Sequence, residues 1–265
     1  MSRRILLPWR KLASIGIAAL ASGVGCAQPP VSQETGFLDR SLEVGGQRAD
    51  YVVYVPADYA DRDDWPVILF LHGAGERGDD GLVQSDVGLG RAIRQNPERW
   101  PAVVVFPQVP AEERWVGRMG SVAMAALDAT GTEFNIDESR TYLTGLSMGG
   151  QGSWYLAYEH VDRWAAVVPI CGFLGFEGTE WGGFTPEGED PVASTSDRIA
   201  SLPVWVFHGD ADVVVPVDAS RQVVAALESL GADVTYTELP GVGHNAWDLA
   251  YADETMIEWM FRQAR

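Results

Sequence analysis

Ser147, Asp212 and His244 are the residues whose types and order in the chain suit nucleophilic chemistry. A serine hydroxyl is a poor nucleophile near neutral pH. It needs a histidine to take its proton and a carboxylate to hold that histidine in the right tautomer. Ser147 lies in Gly145-Leu146-Ser147-Met148-Gly149, a G-x-S-x-G run. Glycines at those positions let a strand turn sharply into a helix and leave the hydroxyl exposed at the bend. In a chain with 29 glycines the run alone decides nothing. Its flanks give it weight: 140–144 reads as a strand leading in, and 151–158 as a helix leading out.

The remaining roles are set by order. With the serine presented this way, the acid follows it at a strand end and the histidine comes last. Of four histidines, His244 alone follows both Ser147 and such an acid, in the flexible run Gly241-Val242-Gly243-His244-Asn245. His208-Gly209-Asp210-Ala211-Asp212 offers two carboxylates just past a strand. Asp212 is the preferred acid; Asp210, closer to the strand, reads as a turn former bonding nearby amides, and Asp218 as a first-turn helix residue. The tetrahedral oxyanion needs two backbone N–H donors. Met148, directly after the nucleophile, supplies one; Ala74, with Gly73 as second choice, supplies the other from the glycine-rich loop His72 to Gly78. His72 precedes the serine and reads as a loop-shaping residue. His208, Asp210 and Asp212 have metal-ligating types, but the acid and its turn account for them and no H-E-x-x-H run exists. Neither a metal nor a cofactor is expected.

To bring these residues together, a sheet must carry each of them at a strand end. Apolar runs rich in Val, Ile and Phe alternate with segments of helical period, the pattern of a mostly parallel sheet with helices on both faces. Strands are predicted at 37–44, 49–55, 67–71, 102–106, 140–144, 165–170, 204–207 and 234–239. Val217, Val223, Val224, Leu227 and Leu230 form one helical stripe, with Pro216 before it and Gly231 after it. Leu249, Met256, Ile257, Met260 and Phe261 form another in a closing helix. The fold class expected is α/β, with about eight strands in a single catalytic domain over 37–265 and no large lid.

Before that domain, Arg3, Arg4, Arg10 and Lys11 precede an apolar run from Leu12 to Val24, the shape of an export signal over 1–26. The run is shorter than the roughly 20 residues a membrane-spanning helix needs. Gly25-Cys26 resembles a lipobox, making Cys26 the expected lipid anchor and 27–36 a tether, at the cell envelope or after secretion. With Cys26 committed to lipid, Cys171 has no disulfide partner. The formal net charge is −18, from 37 acidic against 19 basic residues, and four of the basic ones lie in the leader. Nucleic acid is therefore excluded as a partner. No sequence feature specifies an oligomeric state.

Together, H-G-x-G-E-R-G, G-L-S-M-G-G, H-G-D-x-D-x-x-V-P and G-x-G-H resemble the α/β-hydrolase group of dienelactone-hydrolase-like and phospholipase/carboxylesterase-like esterases, over 37–265. The likeness extends to the exported branch labelled predicted peptidase or polyhydroxybutyrate-depolymerase-like esterase, through Ile136-Asp137 and Trp154. It implies a serine carboxylesterase working through an acyl-enzyme. True dienelactone hydrolases carry a cysteine where this chain has Ser147, so that activity is not implied.

The stretch 171–197 is long, glycine-rich and aromatic. Phe173 and Trp181 within it, with Trp115 and Trp247, are the expected substrate wall for an aryl or sugar group. Cys171 reads as a small buried residue. Soluble or polysaccharide-linked acetyl or feruloyl esters are the expected substrates. The rivals are a serine peptidase with the same triad and a non-catalytic carbohydrate-binding surface lipoprotein.

Overall fold

A computed structural model describes residues 34–265 of the 265. The expected export signal, Cys26 and residues 27–33 of the tether lie outside the described residues.

Among the described residues the eight strands are β1 (Gly36–Val44), β2 (Gln47–Val55), β3 (Trp65–Leu71), β4 (Val103–Pro107), β5 (Ile136–Leu146), β6 (Ala166–Ile170), β7 (Val204–Gly209) and β8 (Val234–Leu239). They form one sheet in the order β1-β2-β4-β3-β5-β6-β7-β8. All eight expected strands are present. β1 and β2 form a hairpin through Gly45-Gly46, both at positive φ as a two-residue turn of matching twist demands. β2 is also antiparallel to β4, and every pairing from β4 to β8 is parallel.

The helices are α1 (Leu89–Gln95), α2 (Arg118–Glu133), α3 (Met148–Glu159), α4 (Pro191–Ile199), α5 (Asp218–Ser229), α6 (Trp247–Ala250) and α7 (Glu254–Arg262). Period-two alternation splits the sheet's side chains between two cores. Val67, Leu69 and Leu71 of β3 join the core shared with α2, α3 and α5, whereas Ile68 and Phe70 join the one shared with α1 and α7. All seven β3 residues are buried, as a parallel strand covered on both faces requires.

Two stripe expectations are corrected. Leu230 is 48% exposed, because α5 ends at Ser229 and Gly231 turns the chain away at φ 70°. Leu249 is 49% exposed, because the closing helix is two helices. Asp253 starts α7 by accepting hydrogen bonds from the Thr255 and Met256 amides, which sets α7 apart from the short α6.

For the site, the parallel pairing matters most. Leu71 sits opposite Gly145, Leu146 opposite Ile170, and Gly209 opposite Leu239. The carboxyl ends of β3, β5, β6, β7 and β8 therefore open onto one edge, where open α/β sheets bind ligands.

Candidate active site

The loop after each of these strands delivers one part of the site. Beyond β5, Ser147 takes φ 54° and ψ −116°, a backbone conformation that side chains rarely adopt. Close packing holds it there. A Cβ on Gly149 would lie 1.9 Å from the Leu71 carbonyl oxygen, and one on Gly145 would lie 2.4 Å from the Gly149 carbonyl oxygen. Backbone therefore fills the space on which a side chain would intrude. The Ser147 amide donates to the Ile170 carbonyl at 2.9 Å, and the Ser147 carbonyl accepts from the Gln151 amide at 3.0 Å, which starts α3.

Ser147 Oγ lies 2.8 Å from His244 Nε2, and His244 Nδ1 lies 2.7 Å from Asp212 Oδ2. The other Asp212 oxygen accepts from the amides of Val214 at 2.8 Å and Val215 at 3.0 Å. Its carboxylate is fully buried, while the His244 side chain keeps 20% of its surface exposed toward the site. Burial pulls the Asp212 pKa upward, but hydrogen bonds from His244 and the Val215 and Val214 amides outweigh it and hold the group below the usual carboxylate range. Asp212 thus stays ionised beside the base. Asp210 turns away and accepts from the Gly241 amide at 2.6 Å. It straps the acid loop to the histidine loop, a longer reach than the local turn expected of it.

Met148 opens α3, so its amide is among the unpaired donors of that helix end. Ala74 opens the single turn Ala74–Glu76 after β3. That turn is held near the nucleophile: a Cβ on Gly73 would lie 2.7 Å from a methyl of Leu146, the residue before Ser147. His72 shapes this loop. Its Nε2 accepts from the Val109 amide at 3.0 Å, and its Nδ1 lies 2.7 Å from the Gly73 carbonyl. Burial lowers its pKa to about 4.

The expected aromatic wall divides. Trp115 is fully buried and donates its indole N–H to the His72 carbonyl at 2.9 Å, with Gly152 packed on its Cβ. It is a support beneath the loop and presents no face to a substrate, which corrects the expectation. Phe173 is also buried, stacked on Phe176 with centroids 4.7 Å apart and meeting Trp181 edge-on at 6.0 Å. It too is a support. Trp181 and Trp247 remain partly exposed. Trp247 stands edge-on to His244 at 5.5 Å and helps line a cavity of about 260 Å³ with Arg91, Asn96 and Trp100.

Sequence reasoning missed the groups that hold the aromatic loop. The Arg77 guanidinium lies 5.5 Å over the Trp181 ring, and Gln151 donates to the Gly182 carbonyl at 3.2 Å. Arg77 sits in the glycine-rich loop after β3 and Gln151 two residues past the G-x-S-x-G run, so proximity in sequence was the available signal.

Cys171 is buried at φ 40°, and burial pushes its thiol pKa up. Its sulfur lies within 4.8 Å of ligand-type atoms of Asp212 and His244. Those two already bond each other, so the triad accounts for the cluster.

The model of the prolyl oligopeptidase family matches residues 121–265. The chain is 24% identical to a probable feruloyl esterase C of Aspergillus terreus, covering 82% of this chain and 72% of that protein. It is 25% identical to an uncharacterized secreted protein of Arthroderma benhamiae, over 68% of this chain but only 21% of the relative's length. A solved thermostable esterase superposes with a TM-score of 0.74 at 32% identity, over 86% of this chain and 63% of the esterase.

Proposed function

The chain belongs to the prolyl oligopeptidase family, and from that premise we propose that it is a serine carboxylic-ester hydrolase working through an acyl-enzyme. The observation that carries the reading is the continuous chain of hydrogen bonds from Ser147 through His244 to buried Asp212, at 2.8 and 2.7 Å. His244 Nε2 takes the hydroxyl proton as Ser147 Oγ attacks the ester carbonyl. The Met148 and Ala74 amides receive the oxyanion. Ionised Asp212 stabilises the imidazolium, which then protonates the departing alkoxide. A water, deprotonated by His244, releases the acid and restores the serine.

The feruloyl esterase relative, with partly exposed Trp247 edge-on to His244 and partly exposed Trp181 in the loop after β6, supports aryl or sugar-linked esters of acetyl or feruloyl type. Export and attachment through a lipidated Cys26 belong to the same proposal, supported by the leader and the secreted relative.

A matched panel of acetyl, butyryl, octanoyl and feruloyl esters alongside peptide substrates tests this reading. Ser147→Ala is expected to lose at least about a thousandfold in kcat on every ester. Unchanged turnover in that variant sinks the mechanism, and faster peptide than ester cleavage moves the chain to the peptidase reading. Glycan binding without reaction with a fluorophosphonate would mark a non-catalytic lipoprotein. Cell fractions of Cys26→Ser, compared with the unaltered protein, check the anchor.

A further inference from the structure

Asp212 has a second histidine against it. His208, next to last in β7, is fully buried, and its Nε2 lies 3.2 Å from Asp212 Oδ2, the same oxygen that bonds His244. That nitrogen is also 3.0 Å from the Val215 carbonyl, while Nδ1 is 2.7 Å from Ser220 Oγ on α5.

These distances fix the tautomer. A carbonyl oxygen only accepts, so Nε2 must carry the hydrogen, and the neutral ring's bare Nδ1 accepts from the Ser220 hydroxyl. Burial favours the neutral ring by lowering its pKa. The Nε2 hydrogen goes to the Val215 carbonyl, and Asp212 Oδ2 lies 3.2 Å from the same nitrogen. The Val215 amide meanwhile donates to Asp212 Oδ1, so Asp212 and His208 hold the same residue by its amide and by its carbonyl.

We propose that His208 is a positioning residue for catalysis: oriented by Ser220, its Nε2–H holds Val215, whose amide binds Asp212 Oδ1, and its ring edge lies against Oδ2, so that the carboxylate does not rotate off His244. The proposal rests on the triad assignment above. A carboxylate has a soft terminal torsion, and the two Asx-type amide bonds hold only Oδ1. Oδ2 otherwise has His244 alone, the group it is meant to steady. Without the His208 ring the acid wanders with the base. Ground-state ester binding does not touch His208, so its effect falls on kcat and leaves KM alone.

Three variants test this. His208→Leu keeps bulk but removes the donor, and kcat is expected to fall about tenfold to a hundredfold with KM unchanged. His208→Gln places an amide N–H near the position of Nε2 and is expected to recover kcat to within about fivefold of the unaltered enzyme, the loss of the Ser220 bond remaining. Ser220→Ala, which removes the bond that orients the ring but keeps the ring and its tautomer, is expected to lie between the two. If His208→Leu does not fold, the Gln and Ala variants still decide. A Gln variant as slow as Leu, or slower than Ser220→Ala at equal melting temperature, overturns the proposal, as does full kcat in His208→Leu. Active Ser147→Ala would instead break the triad assignment, so the two failures are distinguishable.

Discussion

The nucleophile elbow and the aromatic loop after β6 sit at the same sheet edge but are held by different means. At the elbow, Gly73, Gly145 and Gly149 press backbone against backbone or against Leu146, leaving no room for a single added carbon. In the loop, side chains do much of the holding: Phe173 on Phe176, Arg77 over Trp181, Gln151 reaching Gly182, beside one tight backbone contact, where a Cβ on Gly175 would lie 2.4 Å from Gly183. Gly178 and Gly188 there have open space around them. The candidate triad is held by packing that admits no added carbon at Gly145 or Gly149, whereas much of the aromatic loop rests on side-chain contacts that can be exchanged one at a time. A fold can keep one reaction and change its ester in this way.

The largest break in that comparison is expected from Gly149→Ala. Its methyl would lie 1.9 Å from the Leu71 carbonyl oxygen, and backbone at both sides must move. Destabilisation above about 3 kcal/mol is expected, measured by denaturant unfolding, with little active enzyme recovered. Gly178→Ala is the matched control in the loop, though its φ of 72° adds some strain of its own.

Acid should weaken the elbow side next. Burial lowers the His72 pKa from 6.5 to about 4, so between those values the unfolded chain binds more protons than the folded one. This contribution is complete above pH 6.5 and is lost as the pH falls toward 4, by about 3 kcal/mol in all. Melting temperature measured from pH 7 to 4 should fall over that window, and His72→Gln should flatten the slope. An unchanged slope would mean that other groups govern acid stability.

The smallest effect belongs to the loop. Trp181→Ala is expected to raise KM for feruloyl esters about fivefold, the worth of one aromatic contact, while kcat on a small acetyl ester holds. A fall in kcat on all esters would show that the loop also braces the chemistry, and the contrast between the two regions would shrink.

The same contrast explains what the sequence made legible. The parallel strands β3, β4, β6 and β7 could be read because largely buried parallel strands are continuous apolar runs. The order of Ser147, Asp212 and His244 followed from strand ends and elimination among four histidines. Trp115 could not be placed, because an indole that stacks on a substrate and one that props a loop from below look alike until the direction of the side chain is known. Leu249 fitted a helical period that Asp253 interrupts. His208 was visible within the acid's own motif, but its reach to Asp212, Val215 and Ser220 depends on how β7 abuts α5, and no spacing rule reports that.

The backbone of Ser147 sets heat resistance against turnover at one position. At φ 54° and ψ −116° any residue with a Cβ carries strain of about 1 to 3 kcal/mol, and the serine carries it so that its hydroxyl faces His244. Glycine alone would relax the bend. A library of this chain ranked only by melting temperature would therefore drift toward molecules that fold better and hydrolyse nothing, and the residue discarded first would be the nucleophile.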